Sequence, residues 1–560
     1  LKDEDAYLIL WTTMPFTIIT DEIVGVKTDS EYLYLEINGE TWIIAEEKLE
    51  DLMIEFEVEN YKIIKKITGL DLEGKKYIHP LLDLIPGQVR ISEKEGIHTV
   101  VSEEFVDIST GSGLVHMAPA NGEIDFEIAS SRELPIFNPI DDQVKFTEDA
   151  GKYEGLFVRD SDQKVIADLE ERGRLVKSGI IKHEYPLCWR TRHKLVWLAR
   201  REYFYWVNKI DDMAVEAAAA VDYFYESPKN RFLEIIKEKV PWNISRERIW
   251  GTPIPIWSCT NCNEKIPAFS RNDIIKNAIE LPDGPDFELH RPWIDRIMFK
   301  CTKCGSECRR ETFVLDTWHN SGAAPYASLS DNEFSKNIPV SFLTEGIDQT
   351  RGWAYSLLIE NVLLKKEAEA PYKAFLFQGH VLDEKGEKMS KSKGNIINGV
   401  NILTDHPVDV IRFYINWKSS PIDSLNFSIE EMNSRPYQVL GTLYHLHVFT
   451  QLNSSYDEFN PIEHTIEWSN KLGLLETQEL WLLSKIQTLI YDISHAYNRC
   501  KFHEAARSLE KFIIETLSQI YIPIIRGEIW DDHPKNKDLR LSKYAIFSRC
   551  AVPFSVDLLG

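Results

Sequence analysis

The apolar residues of this chain change period twice, and each period admits one kind of local structure. Through residues 1–180 they come in short bursts such as Tyr32-Leu33-Tyr34-Leu35-Glu36-Ile37, Thr41-Trp42-Ile43-Ile44-Ala45 and Ile97-His98-Thr99-Val100-Val101, separated by Gly, Asn and Asp. Short runs between turn residues belong to strands, so this stretch reads as a β-rich domain, with Tyr7-Leu8-Ile9-Leu10-Trp11 as its first strand. Over 181–430 the reading alternates: a strand at 340–343, a helix at 353–366, a strand at 374–377 and a helix at 407–417. That order is the mark of a doubly wound, Rossmann-like α/β sheet. Over 431–560 the spacing becomes helical, in Leu482, Ile486, Leu489, Ile493 and Tyr497 and again in Leu509, Ile513, Leu517 and Ile520, which reads as an all-α bundle. Three periods in 560 residues agree with the three to four domains expected at roughly 150 residues each.

Charge narrows the partners. With 88 acidic and 64 basic residues the net charge is −24, which excludes a protein that coats nucleic acid by bulk electrostatics and leaves polyanions to be held by local geometry. No run of 18 apolar residues occurs, and Leu1-Lys2-Asp3-Glu4-Asp5 lacks the charge and apolar pattern of an export signal, so no membrane segment is expected. A strand beginning six residues after a leading Leu suggests a chain that starts partway through a longer protein. Eight cysteines are too sparse for a disulfide framework and point to a reducing, cytoplasmic setting.

Four of those cysteines form two C-x-x-C pairs, Cys259-Thr260-Asn261-Cys262 and Cys301-Thr302-Lys303-Cys304. Two such knuckles supply four thiolates, a closed tetrahedral shell for a structural Zn²⁺. The 38 residues between them exceed the usual ribbon spacing, and Cys308 and His290 stand as substitute ligands. The alternatives are unrelated thiols or two disulfides. Further along, Gly379 to Gly386 reads as strand and turn leading into Lys388-Met389-Ser390-Lys391-Ser392-Lys393-Gly394-Asn395. Three lysines and two serines on one loop can present ammonium and hydroxyl donors to a triphosphate, and phosphate chemistry asks little more of a protein than placement and charge. A solvated basic turn is the bland alternative.

Lys388-Met389-Ser390-Lys391-Ser392 after a half-sheet resembles the second signature of class I aminoacyl-tRNA synthetases. The resemblance extends through Trp242 to Trp257 and through Thr344-Glu345-Gly346-Ile347-Asp348-Gln349-Thr350-Arg351-Gly352-Trp353, both similar to the isoleucyl branch, with the knuckle cysteines where that branch carries zinc. It implies activation of isoleucine by ATP with Mg²⁺ and transfer to tRNA(Ile). Lys388, Ser390, Lys391 and Ser392 would contact ATP, and Glu345 would hold the adenylate. Asp348 and Gln349 would help line the site, and Trp318 and Trp353 would wall the aliphatic pocket. Trp318 lies in Asp316-Thr317-Trp318-His319-Asn320, where many relatives have Phe-Asp after the Trp. The first signature of the class, His-Ile-Gly-His or a near relative, occurs nowhere in the 560 residues, so the chain alone is expected not to form adenylate, needing an N-terminal segment from the full-length chain or another polypeptide if it does not act as a monomer.

The β-rich region resembles the inserted editing domain of the same branch. A hydrophobic pocket separates substrates that differ by one methylene only weakly, isoleucine against valine in this family being the familiar case, and a second hydrolytic site answers that limit. The resemblance lies in Trp11-Thr12-Thr13-Met14-Pro15-Phe16-Thr17 and in Thr110 to Asp125. By it Asp125 would bind the ammonium of misattached valine, while Thr12, Thr13 and His116 would bound the cavity and position ribose and water. Relatives often have Thr, Trp and Asn where this chain has Met14, Phe16 and Asp21. Residues 431–560 would begin the anticodon-binding domain, with Arg499, Lys501, Arg507 and Lys511 as candidates to face RNA. The basic stretch 182–201, with Tyr185, Trp189 and Trp197 interleaved, would guide the tRNA end. The expectation is thus a multidomain synthetase with editing domain 1–180, catalytic half 181–430 including a zinc knuckle at 257–310, and helical domain 431–560. A stand-alone tRNA-editing deacylase and a non-catalytic tRNA-binding paralogue are the rival readings.

Overall fold

The computed structural model describes residues 1–182, 184–188, 191–391 and 393–556, with side chains as far as residue 548. Its contacts divide the chain into two compact units, Leu1–Arg201 and Glu202–Gly560.

Among the elements of the first unit are β1 (Tyr7–Leu8), β2 (Ile23–Val26), β3 (Glu31–Ile37), β4 (Glu40–Ala45), β5 (Lys62–Thr68), β6 (Thr99–Ser102) and β7 (Leu114–Met117), with helices α1 (Glu123–Ser131) and α2 (Asp162–Glu171). One sheet runs β1-β4-β3-β5 and a second runs β6-β2-β7. Along β3, Tyr32 and Tyr34 enter a core with Ile43 and Leu72, while Leu33, Leu35 and Ile37 enter another with Ile44 and Leu52. Alternation thus buries both faces, each large apolar side chain worth roughly 1.5–3 kcal/mol. Asn38 and Gly39, at φ 51° and 88°, close the β3–β4 hairpin, the left-handed pair that a two-residue turn requires.

Two expectations shift here. The strand expected from Tyr7 to Trp11 ends at Leu8: Ile9 N–H still donates to Ile43 O of β4 at 3.2 Å, but the Ile9 carbonyl accepts from the Ser112 hydroxyl. Residues 181–201 fall in the first unit rather than the second. Ala199 N–H donates to Ala120 O at 2.8 Å, Asn121 Nδ2 to Trp197 O at 2.8 Å and Asn138 Nδ2 to Ala199 O at 2.7 Å, while Val196 and Leu198 pack on the core around Phe16 and Leu81.

The second unit begins with α3 (Asp211–Ala219) and the small sheet β8 (Ile256–Cys259), β9 (Lys265–Pro267), β10 (Phe299–Lys300) and β11 (Glu307–Arg310), ordered β9-β8-β11-β10. Then come α4 (Thr317–Gly322), β12 (Leu343–Gly346), α5 (Trp353–Lys365), β13 (Phe375–Gln378), β14 (Val381–Leu382), α6 (Val408–Lys418) and β15 (Leu425–Asn426). β12 pairs with β13 and β14 with β15, both parallel, and α5 buries Ala354, Leu357, Leu358 and Val362 against Phe375 and Phe377. The strand expected at 340–343 lies at Leu343–Gly346. Register with β13 sets its position, and Val340 keeps only an isolated parallel bridge to Tyr372.

The chain ends in helices α7 (Ile429–Tyr456), α8 (Thr477–Asn498) and α9 (Phe502–Lys511), a π-helical Phe512–Tyr521, α10 (Ile522–Trp530) and α11 (Lys537–Val556). Leu482, Ile486, Leu509, Ile513 and Leu517 share its core, as their spacing requires. Buried charges lock it: Lys543 Nζ lies 2.9 Å from Glu479 Oε1, and Arg540 grips Asp457 at 2.6 and 2.8 Å. Among the described residues no helix is long and apolar enough to cross a membrane.

Candidate active sites and metal centre

In the first unit the two separated segments come together. Gly111, at φ 56°, sits against Trp11 so closely that a Cβ would lie 2.9 Å from Trp11 Cβ. Thr20 Oγ1 donates to Asn121 Oδ1 at 2.6 Å, and His116 Nε2 lies 3.0 Å from Thr17 Oγ1. Thr12 Oγ1 accepts from Met14 N–H at 3.1 Å and, like Thr13, is half-buried. Asp125, in the first turn of α1, accepts the Ala118 N–H on Oδ2 at 2.9 Å, while Oδ1 makes no hydrogen bond among the described residues. Burial pushes the Asp125 carboxyl above its ordinary range, against the pull of the Ala118 N–H and of His116. A desolvated carboxylate with one oxygen unengaged is suited to a cationic ligand. Gly122 leaves room for it, since a Cβ there would stand 2.6 Å from Oδ2.

Around His116 lies a buried polar cluster that no sequence pattern signalled. Asp21 Oδ1 is 3.2 Å from His116 Nδ1, and its other oxygen accepts from Tyr77 OH. His79 Nε2 meets Ile18 O at 2.8 Å, and His98 Nε2 meets Gln88 Oε1 at 2.9 Å. Burial drives the His98 imidazole down to about 4, with His79 adding to the effect. Next to it, burial pushes the Glu22 carboxyl up to about 8 against the Phe137 N–H that it accepts at 2.6 Å. A carboxyl raised in the folded state holds a proton that the unfolded chain has released. Its contribution to stability is therefore complete below the ordinary value of 4.5 and is lost as pH rises through about 8. We expect Glu22→Gln to remove that share of the pH dependence of urea unfolding; an unchanged slope over this interval would count against a protonated Glu22.

In the second unit, Glu345 lies in β12 in register with Phe377 of β13. The chain leaves β13 at Gln378 for β14 and the lysine loop, so Glu345 and the loop both issue from the carboxyl ends of parallel strands, where open α/β sheets bind ligands. Asp383 shapes the loop by accepting from Lys385 N–H at 3.0 Å, Glu387 N–H at 2.7 Å and Asn395 Nδ2 at 2.7 Å. Asn395 Oδ1 in turn accepts from Ser390 N–H at 2.9 Å. Lys388 and Lys391 are exposed, with no ion-pair partner among the described residues, whereas Lys393 reaches Glu387 at 3.2 Å. Ser392 lies outside the described residues, as does Trp189. No ion pair joins Lys391 to Glu345 among the described residues.

Asp348 and Glu345 are exposed. Gln349 turns inward, its Oε1 accepting the Trp353 N–H at the start of α5 at 3.0 Å. Trp318 lies against Gly352, the residue before Trp353: a Cβ on that glycine would stand 3.3 Å from Trp318 and 2.3 Å from Gln349 Oε1. Trp353 Nε1 donates to Ser321 O at 3.1 Å, and Asp316 caps α4 by accepting the Trp318 N–H at 3.2 Å. Arg246 holds that cap at 2.6 Å, which gives a role to the Ser245-Arg246 segment. His319 lies 3.0 Å from the buried Glu360 of α5; burial raises that carboxyl and His319 opposes the rise.

The four knuckle sulfurs lie within 4.8 Å of one another, with Cys259–Cys304 at 3.4 Å and Cys262–Cys301 at 3.6 Å. Zinc–thiolate bonds of about 2.3 Å in a tetrahedron set sulfurs roughly 3.8 Å apart, so the cluster fits a zinc knuckle. Neither substitute ligand belongs to it. Cys308 is in register with Cys259 on a neighbouring strand but outside the group, and His290 stacks on Trp250 at 4.5 Å with Nδ1 on Glu288. Among the helix cations, Arg507 is exposed but engaged: it donates to Trp417 O at 3.2 Å and Lys418 O at 3.1 Å. Lys501 pairs with Glu504 at 2.8 Å.

The family model "tRNA synthetases class I (I, L, M and V)" matches residues 31–428, and "Anticodon-binding domain of tRNA ligase" matches residues 479–551. The chain belongs to the class I tRNA synthetases. Within that class it is similar to the isoleucine–tRNA ligase of Methanocaldococcus jannaschii, 37% identical over 540 residues, 95% of this chain and 50% of that protein. The isoleucine–tRNA ligase of Pyrobaculum aerophilum is 36% identical over 575 residues, 99% of this chain and 57% of that protein. The chain thus spans about half the length of the curated relatives it matches.

Proposed function

We propose that this chain serves isoleucine–tRNA ligation, holding ATP and isoleucyl adenylate in the second unit and hydrolysing valine from mischarged tRNA(Ile) in the first. The observation that carries the reading is 37% identity to an isoleucine–tRNA ligase across 95% of the chain, through both units. In the second unit Lys391, with Lys388 and Ser390, would neutralise the triphosphate and its Mg²⁺ complex, and Glu345 would hold the adenylate. Trp318 and Trp353 would offer flat apolar walls to a branched side chain, with Asp348 and Gln349 beside them. The four cysteines would hold a structural Zn²⁺ that shapes the small sheet.

In the first unit Asp125 would pair with the α-ammonium of the wrong ester, and Thr12, Thr13 and His116 would shape the cavity and orient ribose and water. Water attacks the ester carbonyl, and tRNA and free valine leave. The helical region would take the anticodon arm.

Binding of a non-hydrolysable ATP analogue tests the second unit. Loss of one charge-assisted bond costs about 1.5–3 kcal/mol, so Lys391→Ala is expected to weaken binding about tenfold or more in calorimetry; equal affinity would remove Lys391 from its role. Isoleucine-dependent pyrophosphate exchange by these residues alone should be below detection, because they contain no first class signature.

A further inference from the structure

We propose that Asp21 is a positioning residue for the editing reaction: with Tyr77 bound to one carboxylate oxygen, its other oxygen fixes the His116 imidazole at the pocket. The inference rests on the editing reading above and names the part of that site which the resemblance does not supply.

Asp21 is 2% exposed and stands two residues before β2, which pairs antiparallel with β7, the strand that carries His116. The pairing keeps the two segments adjacent, and the Asp21 side chain reaches the His116 ring between them. A carboxylate accepts only, so the 3.2 Å contact assigns the proton to His116 Nδ1. The other ring nitrogen, Nε2, is 3.0 Å from Thr17 Oγ1; with the proton on Nδ1 the Thr17 hydroxyl gives its one hydrogen to Nε2, in place of the Met14 carbonyl that stands 2.8 Å away as its alternative acceptor. With both nitrogens engaged, the ring can neither flip nor rotate without breaking two contacts.

The far side of Asp21 is equally determined. Tyr77 OH donates to Oδ2, and burial together with the adjacent Asp21 charge holds that phenol protonated, well above its ordinary range. Gln88 Nε2 donates to the Asp21 carbonyl at 2.8 Å and to Ile19 O at 3.0 Å. The described structure brings no lysine or arginine onto this carboxylate, so its charge is met by the phenol and the imidazole alone. An amide here could not accept on both sides: with its oxygen on His116, its NH₂ would face Tyr77 OH. Asp21 and Tyr77 thus act as a pair, and what they hold is His116, which lies near enough to Asp125 to act on its charge.

The test uses the chain with ¹⁵N-labelled histidine, the His116 signals being assigned by their loss in His116→Gln. In the unsubstituted chain they should report one tautomer, protonated at Nδ1. Asp21→Ala should mix the tautomers and lower kcat for valyl-tRNA(Ile) deacylation by about 10- to 100-fold with KM nearly unchanged, and Asp21→Asn should recover most of both. Should Asp21→Ala fail to fold, Tyr77→Phe carries the test, with a shifted His116 Nδ1–H and a several-fold loss of kcat. Unchanged His116 signals in the folded variant overturn the positioning role. Absence of deacylation by the unsubstituted chain overturns the editing reading instead.

Discussion

Asp125→Ala is expected to lower deacylation of valyl-tRNA(Ile) by about 100-fold or more. The carboxylate lies in a mostly desolvated position with one oxygen on the Ala118 N–H and the other unengaged. Truncating one partner of a desolvated charge pair costs about 2–5 kcal/mol, much of it from leaving the other charge unmatched, and every 1.4 kcal/mol is about tenfold. Here the orphan would be the α-ammonium of valine. Asp125→Asn, which keeps the bond to Ala118 but not the charge, should resemble the Ala variant in rate and the unsubstituted chain in stability. Equal deacylation by all three would take Asp125 out of the site, and a loss confined to a partly unfolded Ala variant would make it a cap for α1.

Removal of metal should produce the largest change in stability. Structural zinc sites in small domains contribute on the order of 10–16 kcal/mol at neutral pH, more than the four-stranded sheet β9-β8-β11-β10 can spare around so small a core. Trp257 stacks on Phe299 at 4.0 Å directly behind the cysteines, so loosening the sulfurs exposes both rings. One zinc per chain by elemental analysis is expected, lost on chelation or in Cys259→Ser, with tryptophan fluorescence shifting red and proteolysis appearing between residues 256 and 310. Cys308→Ala should keep the metal, because that thiol lies outside the group. A chain free of zinc and still protease-resistant there would rule out the knuckle.

What the chain disclosed in advance is what is encoded locally. The paired cysteines, the alternation of Tyr32 to Ile37 and the helical spacing of α8 each fit inside a short window, and the fold uses them accordingly. Position along a sheet is different. The strand expected at 340–343 follows the most apolar residues, but pairing with Phe375–Gln378 moves it onto Thr344 and Glu345, and no window shows a partner 32 residues away. The cluster around Asp21 was hidden for the same reason: Tyr77 is 56 residues from Asp21, and His116 is 95. Arg507 looked like a free cation on an amphipathic helix until α6 supplied its carbonyls.

That last contact has a mechanical side. Arg507 clasps the carboxyl end of α6, Glu510 takes Trp417 Nε1, and Ser428, beyond α6, is bonded to Glu384 at the base of the lysine loop. Torque applied to α9 by a bound macromolecule must either drag α6 along or break these links. The lysine loop is thereby geared to the helices that follow it, and a load on one will be felt as altered stiffness in the other.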